Sequence, residues 1–594
     1  MAGASNGGSG GSGPQVPVLF GACSTLGAIV CQGAASAQRL ACDGAKWQAG
    51  TTCADHELCD SRSGECAMLV AECATVKPGD TVCRGDKPLT CGPDLVSADE
   101  GVTCEGACKD GACQVPTCGD KKLETGEDCD DGNANLSGAC VACKPATCGD
   151  GAVYSGHEEC DDHNNIAGDG CSPTCTWEAI SVVAGANSTC ALSGGGQVKC
   201  WGDNTDGALG QGDSMHRGNL PGQLGDALKP ISLGTGRTAK SISVGFNAAC
   251  AVLDNGTLKC WGGVYFGQLG AAYSEAQGDG PNEMGDNLAA IALGAGRTAT
   301  SVSEGGFHTC AVLDDGEVKC WGSGLLGQLG QDNTADYSSP ELLSGVVLSR
   351  KASTVSASYG NTTCALLDDG SGKCWGFRNT GALSSTAADE IGGTGADHLY
   401  AIGDYPGEME AMPALNLGTH IKALGAGSQS SCALLDDGTV KCWGITALGQ
   451  GDGLPHGAER STLPSVPPVF LGTGRTVKSM SVGEFHVCVV LDDGGVKCWG
   501  TNSNYGGNVN GELGTGNTAT KGDLVNEMGD ALLEIPLGKK ALKVSAGRHH
   551  TCALLEDASV VCWGFNDKGQ LGLGNTASVG NAPGFMLKAV DLTF

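Results

Sequence analysis

Between residues 190 and 562 one pattern recurs seven times: apolar residues alternate with small or polar ones, break at an Asp/Asn/Gly turn, and resume. The clearest copy reads Cys432-Ala-Leu-Leu-Asp-Asp-Gly-Thr-Val-Lys-Cys442-Trp443-Gly444, with Cys432, Leu434, Val440 and Cys442 on one side of the alternation. A period of two predicts half-buried strands, and the Asp-Gly break predicts a hairpin between them. Folding at Asp436–Gly438 sets Cys432 opposite Cys442 and Leu434 opposite Val440. Opposed residues on antiparallel strands have Cβ atoms roughly 4.5–5.5 Å apart, and a disulfide wants roughly 3.5–4.5 Å. One cross-strand disulfide per copy is therefore expected: Cys190–Cys200, Cys250–Cys260, Cys310–Cys320, Cys364–Cys374, Cys432–Cys442, Cys488–Cys498 and Cys552–Cys562.

Two further apolar runs complete each unit. One lies upstream, as in Lys478-Ser-Met-Ser-Val-Gly483, and one downstream, as in Pro-Ile-Ser-Leu-Gly234 or Ile-Ala-Leu-Gly294. Four short strands per unit and a spacing of 54 to 68 residues between copies, with no amphipathic helix pattern, predict an all-β fold: a seven-bladed β-propeller over 179–594. The segment after each second Cys, as in Trp321-Gly-Ser-Gly-Leu-Leu-Gly-Gln-Leu-Gly330, resembles the repeat of the regulator of chromosome condensation family. Weaker copies stand at Gly207-Ala-Leu-Gly210, Gly511-Glu-Leu-Gly514 and Gly381-Ala-Leu-Ser384. The resemblance implies seven blades, matching the count. The last strand, near Ala589–Phe594, is expected beside the first blade, locking the ring. The Trp-Gly tryptophans, one per copy at constant phase, read as packing anchors between blades.

Cysteine usage changes the picture upstream. Of 34 Cys, fourteen belong to the repeats and twenty crowd residues 23–175, which reads as a disulfide framework in an oxidising compartment. Residues 1–22 form a Gly/Ser-rich flexible tether. Two six-Cys modules follow, 23–66 and 73–113, then two four-Cys repeats, 118–143 and 148–175, together a loop-dominated stalk held by disulfides of undetermined pairing. The last module, Cys148 through Cys160 and Cys171 to Cys175, resembles the myxobacterial cysteine-rich repeat, which implies an exported or outer-surface bacterial protein. The first twenty residues show no basic start followed by an apolar stretch, so a signal or lipoprotein sequence is expected to have been trimmed or to lie upstream. No run of 18 apolar residues occurs.

A net charge of -31 disfavours nucleic acid, whose phosphates call for a basic face. No cofactor is expected apart from calcium. In the last module Glu158, Asp161, Asp162, Asn164 and Asp169 crowd one loop with the oxygen ligands Ca²⁺ takes; equally, such residues make turns and cap backbone amides. Catalytic signals are thin. Gly234-Thr-Gly-Arg-Thr238 and Gly472-Thr-Gly-Arg-Thr476 lack the Gly before Lys and the following helix of a phosphate loop, so they read as turns. His308, His486 and His550 recur at one phase and read as strand-end hydrogen-bonding residues, and His549-His550 is a weak metal pair. Nothing supplies a nucleophile with a matched base, so an enzyme is not expected.

The variable loops after Trp-Gly leave each unit at the same phase and should gather on one face, where recognition usually sits. Their candidate binding residues are Tyr265, Phe266 and Tyr273, then Asp397, His398, Tyr400, Asp404 and Tyr405, and Tyr505. The expected function is an exported or surface-tethered binding or adhesion protein presenting the propeller to a protein or glycan. The alternative is a secreted inhibitor of an extracellular enzyme, which the family resemblance permits. An enzyme working in the propeller channel ranks third.

Overall fold

The computed structural model divides into two compact units, Met1–His157 and Glu158–Phe594. In the second unit the structure describes every residue except 159, 162–163, 165–169, 379–380, 385–400, 446–447 and 503–509. In the first it describes 29–31, 38–42, 45–54, 57–59, 65–68, 71–73, 77, 80–84, 87–91, 98–101, 108–113, 129–130, 140–141, 144–150 and 153–154.

The first unit is built from short antiparallel pieces. Ile29–Cys31, Gln38–Cys42 and Trp47–Thr52 form one sheet, and Thr81–Arg84, Lys87–Cys91 and Ala98–Glu100 another. The second sheet covers a core of Cys73, Leu89 and Cys91. So small a core needs covalent help, and the pairing left open by the sequence includes Cys53–Cys66, Cys73–Cys91, Cys83–Cys108 and Cys129–Cys140.

In the second unit seven antiparallel sheets follow one another, from Ala179–Ala184, Ser188–Ser193 and Val198–Gly202 to Ala541–Ala546, His550–Leu555 and Val560–Gly564. Every middle strand is buried along its whole length, because a neighbouring sheet covers each of its faces. The expected register holds in all seven: Cys432 faces Cys442 and Leu434 faces Val440, and each Cys pair is closed at a Cα–Cα distance of 4.0–4.2 Å. The hairpin turn needs a left-handed residue. Gly438 supplies it at φ 80°, and in the seventh sheet Ala558 takes it at φ 62°.

The first strands line the axis and hand the chain from sheet to sheet. Ser243, Ser303, Ser356 and Ser481 each accept a backbone N–H from the first strand of the next sheet, at 2.8–3.1 Å. Ser545 of the seventh sheet accepts the Ala184 N–H of the first, closing the series on itself. The seven Trp-Gly tryptophans are fully buried between sheets. Six donate their indole N–H to a carbonyl in the preceding sheet's Trp-Gly loop, as Trp321 does to Gln268 at 2.9 Å and Trp201 to Gln570 at 3.0 Å.

One expectation needs correction. The fourth strand is reduced in each unit to a single main-chain bond onto the third, as from Ile231 N–H to Val198 O at 2.7 Å. The alternation there spans three residues, enough to point Ile231 and Leu233 into the core but too short for a ladder. Among the described residues the fourth sheet alone gains a fourth strand, Ala401–Ile402. The C-terminal segment lies beside the first blade as expected, with Asp591 O accepting the Gly225 N–H and Thr593 donating to Asp226, while its Val590 N–H bonds Val560 O of the seventh sheet. It seals the seam from the far side.

Candidate functional site

The register decides where the loops emerge. Ala248 faces Gly262, so the turn joining first and second strands lies beside the exit of the Trp-Gly loop, and the same pairing recurs in every sheet. All seven turns and all seven variable loops therefore share one end of the second unit.

Near the axis at this end the turn residues are packed against one another. The Arg548 guanidinium lies 5.0 Å from the Phe246 ring centre and its Nε is 2.5 Å from Glu484 Oε2. Tyr359 of the fourth sheet donates its hydroxyl to Val244 O of the second, at 3.5 Å. Fully buried Glu304 accepts the Gly245 N–H at 2.9 Å, and burial raises its carboxyl well above the usual range. Burial also raises Glu484, against the opposing pull of Arg548. Of these groups, Glu304 and Tyr359 are held by the backbone and Glu484 by Arg548.

The repeated His take the role expected of them. Each donates to a Thr hydroxyl on the next sheet: His308 to Thr363 at 2.9 Å, His486 to Thr551 and His550 to Thr189 at 2.8 Å. Each Thr hydroxyl donates in turn to the Trp-Gly loop carbonyl that the Trp also uses, Thr363 to Gln328 O at 2.9 Å. A hydroxyl has one proton, and it goes to the carbonyl, so the His must be the Nε2–H tautomer. Burial pushes His308 down to about 4 and His486 and His550 to about 3, keeping them neutral. Thr189 holds His550 Nε2, which leaves Nδ1 as the ring nitrogen the His549-His550 pair could offer a metal.

The Gly-Thr-Gly-Arg segments are turns, as expected. The Thr235 and Thr473 N–H groups bond Asp286 and Asp530 of the next unit, while Arg237 and Arg475 clasp Asp254 and Asp492 of the hairpin turn that follows. Two repeated devices escaped the sequence reading. The Lys before the second Cys is buried and caps carbonyls of the outer loops, Lys497 reaching Leu471 O and Gly529 O at 2.8 Å; its recurrence in six copies was the available signal. A Gly-Asp-x-x-x-Glu motif ending at Glu283, Glu408 and Glu527 folds each loop around its Glu, which accepts the Gly N–H; burial raises Glu408 to about 7.

Of the predicted binding residues, Tyr265 and Phe266 form a surface patch, 54% and 43% exposed. Both pack edge-on against Phe307, at 6.2 and 5.2 Å, and Phe307 lies 5.7 Å from Phe246. Beside them opens a pocket of about 250 Å³ lined by Asn187, Asp203, Asp206, Phe246, Asn247 and Tyr265. Asp206 Oδ2 accepts from Asn247 at 2.7 Å and from the Tyr265 hydroxyl at 2.8 Å, and that bond raises the Tyr265 phenol. Tyr273 does not join them: its ring packs on the core and its hydroxyl accepts the Ala289 N–H at 2.8 Å. Asp404 and Tyr405 form the fourth unit's Glu408-wrapped turn, with Tyr405 39% exposed. Asp397, His398, Tyr400 and Tyr505 lie outside the described residues.

In the proposed calcium loop, Asp162 and Asp169 also lie outside the described residues. Glu158 and Asp161 place carboxylate oxygens within 4.8 Å of each other and of Cys175 Sγ, but that sulfur is in a disulfide and offers no thiolate. No helix among the described residues is long and apolar enough to cross a membrane.

Six segments, 179–208, 239–268, 299–328, 421–450, 477–506 and 542–570, match the regulator of chromosome condensation (RCC1) repeat. Residues 145–176 match a domain of unknown function, DUF4215. The chain is similar to the ultraviolet-B receptor UVR8 of Arabidopsis thaliana, 27% identical over 67% of this chain and 80% of the receptor. It is 26% identical to the E3 ubiquitin-protein ligase HERC2 of Homo sapiens over 63% of this chain, a stretch that spans 7% of the ligase. The crystal structure of human WBSCR16 shares the fold at a TM-score of 0.50 and 19% identity, covering 64% of this chain and 86% of that one. Repeat matches, relatives and register agree: residues from 179 onward form an RCC1-type repeat propeller.

Proposed function

We propose that this chain is an exported or surface-tethered binding protein whose propeller docks a protein or glycan on the face carrying the Trp-Gly loops. The observation that carries this is the exposed Tyr265–Phe266 patch beside a polar pocket. Exposed aromatics clustered on rigid turns supply contact area with little ordering entropy to lose. Disulfides through both units favour an oxidising compartment. The test is retention of cell-surface proteins and polysaccharides on the immobilised full chain, compared with Tyr265→Ser/Phe266→Ser. The paired variant should lose its ligand with unchanged melting temperature. Equal retention by both would remove this face from consideration.

A further inference from the structure

Within that binding reading, we infer that the pocket between the first two blades takes one guanidinium or ammonium group, the tip of an Arg or Lys side chain of the partner. The donor inventory points there. Tyr265 O–H and the Asn247 amide both donate to Asp206 Oδ2, and the Thr205 hydroxyl donates to Asp203 Oδ1 at 2.6 Å. The Thr205 and Tyr265 hydroxyl protons are thus turned onto the pocket's own carboxylates. Asp203 Oδ2 and Asp206 Oδ1 are the carboxylate oxygens that these bonds do not use, in a pocket whose lining also includes Asn187 and Ser188.

Neither charge is neutralised from within. The ionisable partner of Asp203 or Asp206 among the described residues is His216, whose Nδ1 lies 3.4 Å from Asp203 Oδ1. That nitrogen also accepts the Asn204 N–H at 3.1 Å, and no Lys or Arg among the described residues pairs with either carboxylate. Two carboxylates without a cation, one of them only 18% exposed, reject anions and favour a donor-rich cation. Tyr265 offers an aromatic wall on which a cation can rest. At about 250 Å³ the pocket is below the usual size for a free small molecule and suits a single side chain.

The test titrates the full chain with acetyl-Gly-Arg-Gly-amide, its citrulline counterpart and calcium chloride, read by ligand-observed NMR. The Arg peptide should bind at least tenfold tighter than the citrulline one. Asp203→Asn/Asp206→Asn should weaken it tenfold or more with melting unchanged; Asp203→Asn alone, which leaves the Tyr265 and Asn247 bonds in place, keeps the test valid if the pair unfolds. Equal binding of the two peptides, indifference to the Asn substitutions, or saturation of the same carboxylates by calcium would each overturn the inference. If the peptide fails while Tyr265→Ser/Phe266→Ser still abolishes ligand retention, only the cation assignment falls.

Discussion

Thr363→Val replaces a hydroxyl by a methyl at nearly constant volume, at a junction where one oxygen serves two blades. Thr363 donates to Gln328 O and accepts from His308 Nε2. Gln328 O keeps the Trp375 indole, at 3.0 Å, so loss of that bond costs about 1 kcal/mol. The His308 N–H is left buried without an acceptor, which adds about 1–3 kcal/mol. The expected total is about 2–4 kcal/mol. Thr309 is the built-in control. It donates to Gln268 O at 2.9 Å, where Trp321 also donates, but the preceding blade has Ala248 in the His position. Thr309→Val should therefore cost only about 1 kcal/mol. Urea unfolding under oxidising conditions reads both as midpoint shifts at constant slope. Adding His308→Leu to Thr363→Val removes the stranded donor, so the double variant should be about 1–2 kcal/mol less destabilised than the sum of the singles. Equal costs at Thr309 and Thr363 would refute the relay.

Glu304→Gln should become stabilising relative to the parent as pH rises. The folded carboxyl titrates far above its unfolded value, so its contribution is complete below about pH 4.5 and is lost as pH rises; the urea midpoint of Glu304→Gln should rise relative to the parent between pH 4 and pH 8, and a constant gap would contradict this. Ala558→Gly should stabilise by about 0.5–1.5 kcal/mol, since a Cβ in the left-handed region is strained; calorimetry reads the gain, and a loss would refute it. Replacing Cys432 and Cys442 together by Ser should cost at most about 2–3 kcal/mol, because the hairpin already restricts its own loop; unfolding of the whole propeller by this one change would show the staple carries more. Arg475→Ala, at a clasp whose Asp492 and Asp493 are about half exposed, should cost under about 1 kcal/mol by the same urea assay.

The chain's own order was enough to determine what depends on neighbours in sequence. Cys432 and Cys442 flank a turn, alternation sets their shared face, and ten residues fix their pairing, so strand, register and staple are local properties. The repeat then multiplied one local solution by seven. Contacts across blades had no such rule. Asp206, Asn247 and Tyr265 meet only because a turn of one blade lies against the loop of its neighbour, 41 and 59 residues apart. The same holds at the axis, where Tyr359 crosses to Val244, and at Tyr273, whose hydroxyl the fold turns to a backbone amide. Aromatic residues in a loop look alike along the chain. Whether each becomes plug, core or surface is decided by which neighbour covers it, and that follows from packing seven sheets around one axis.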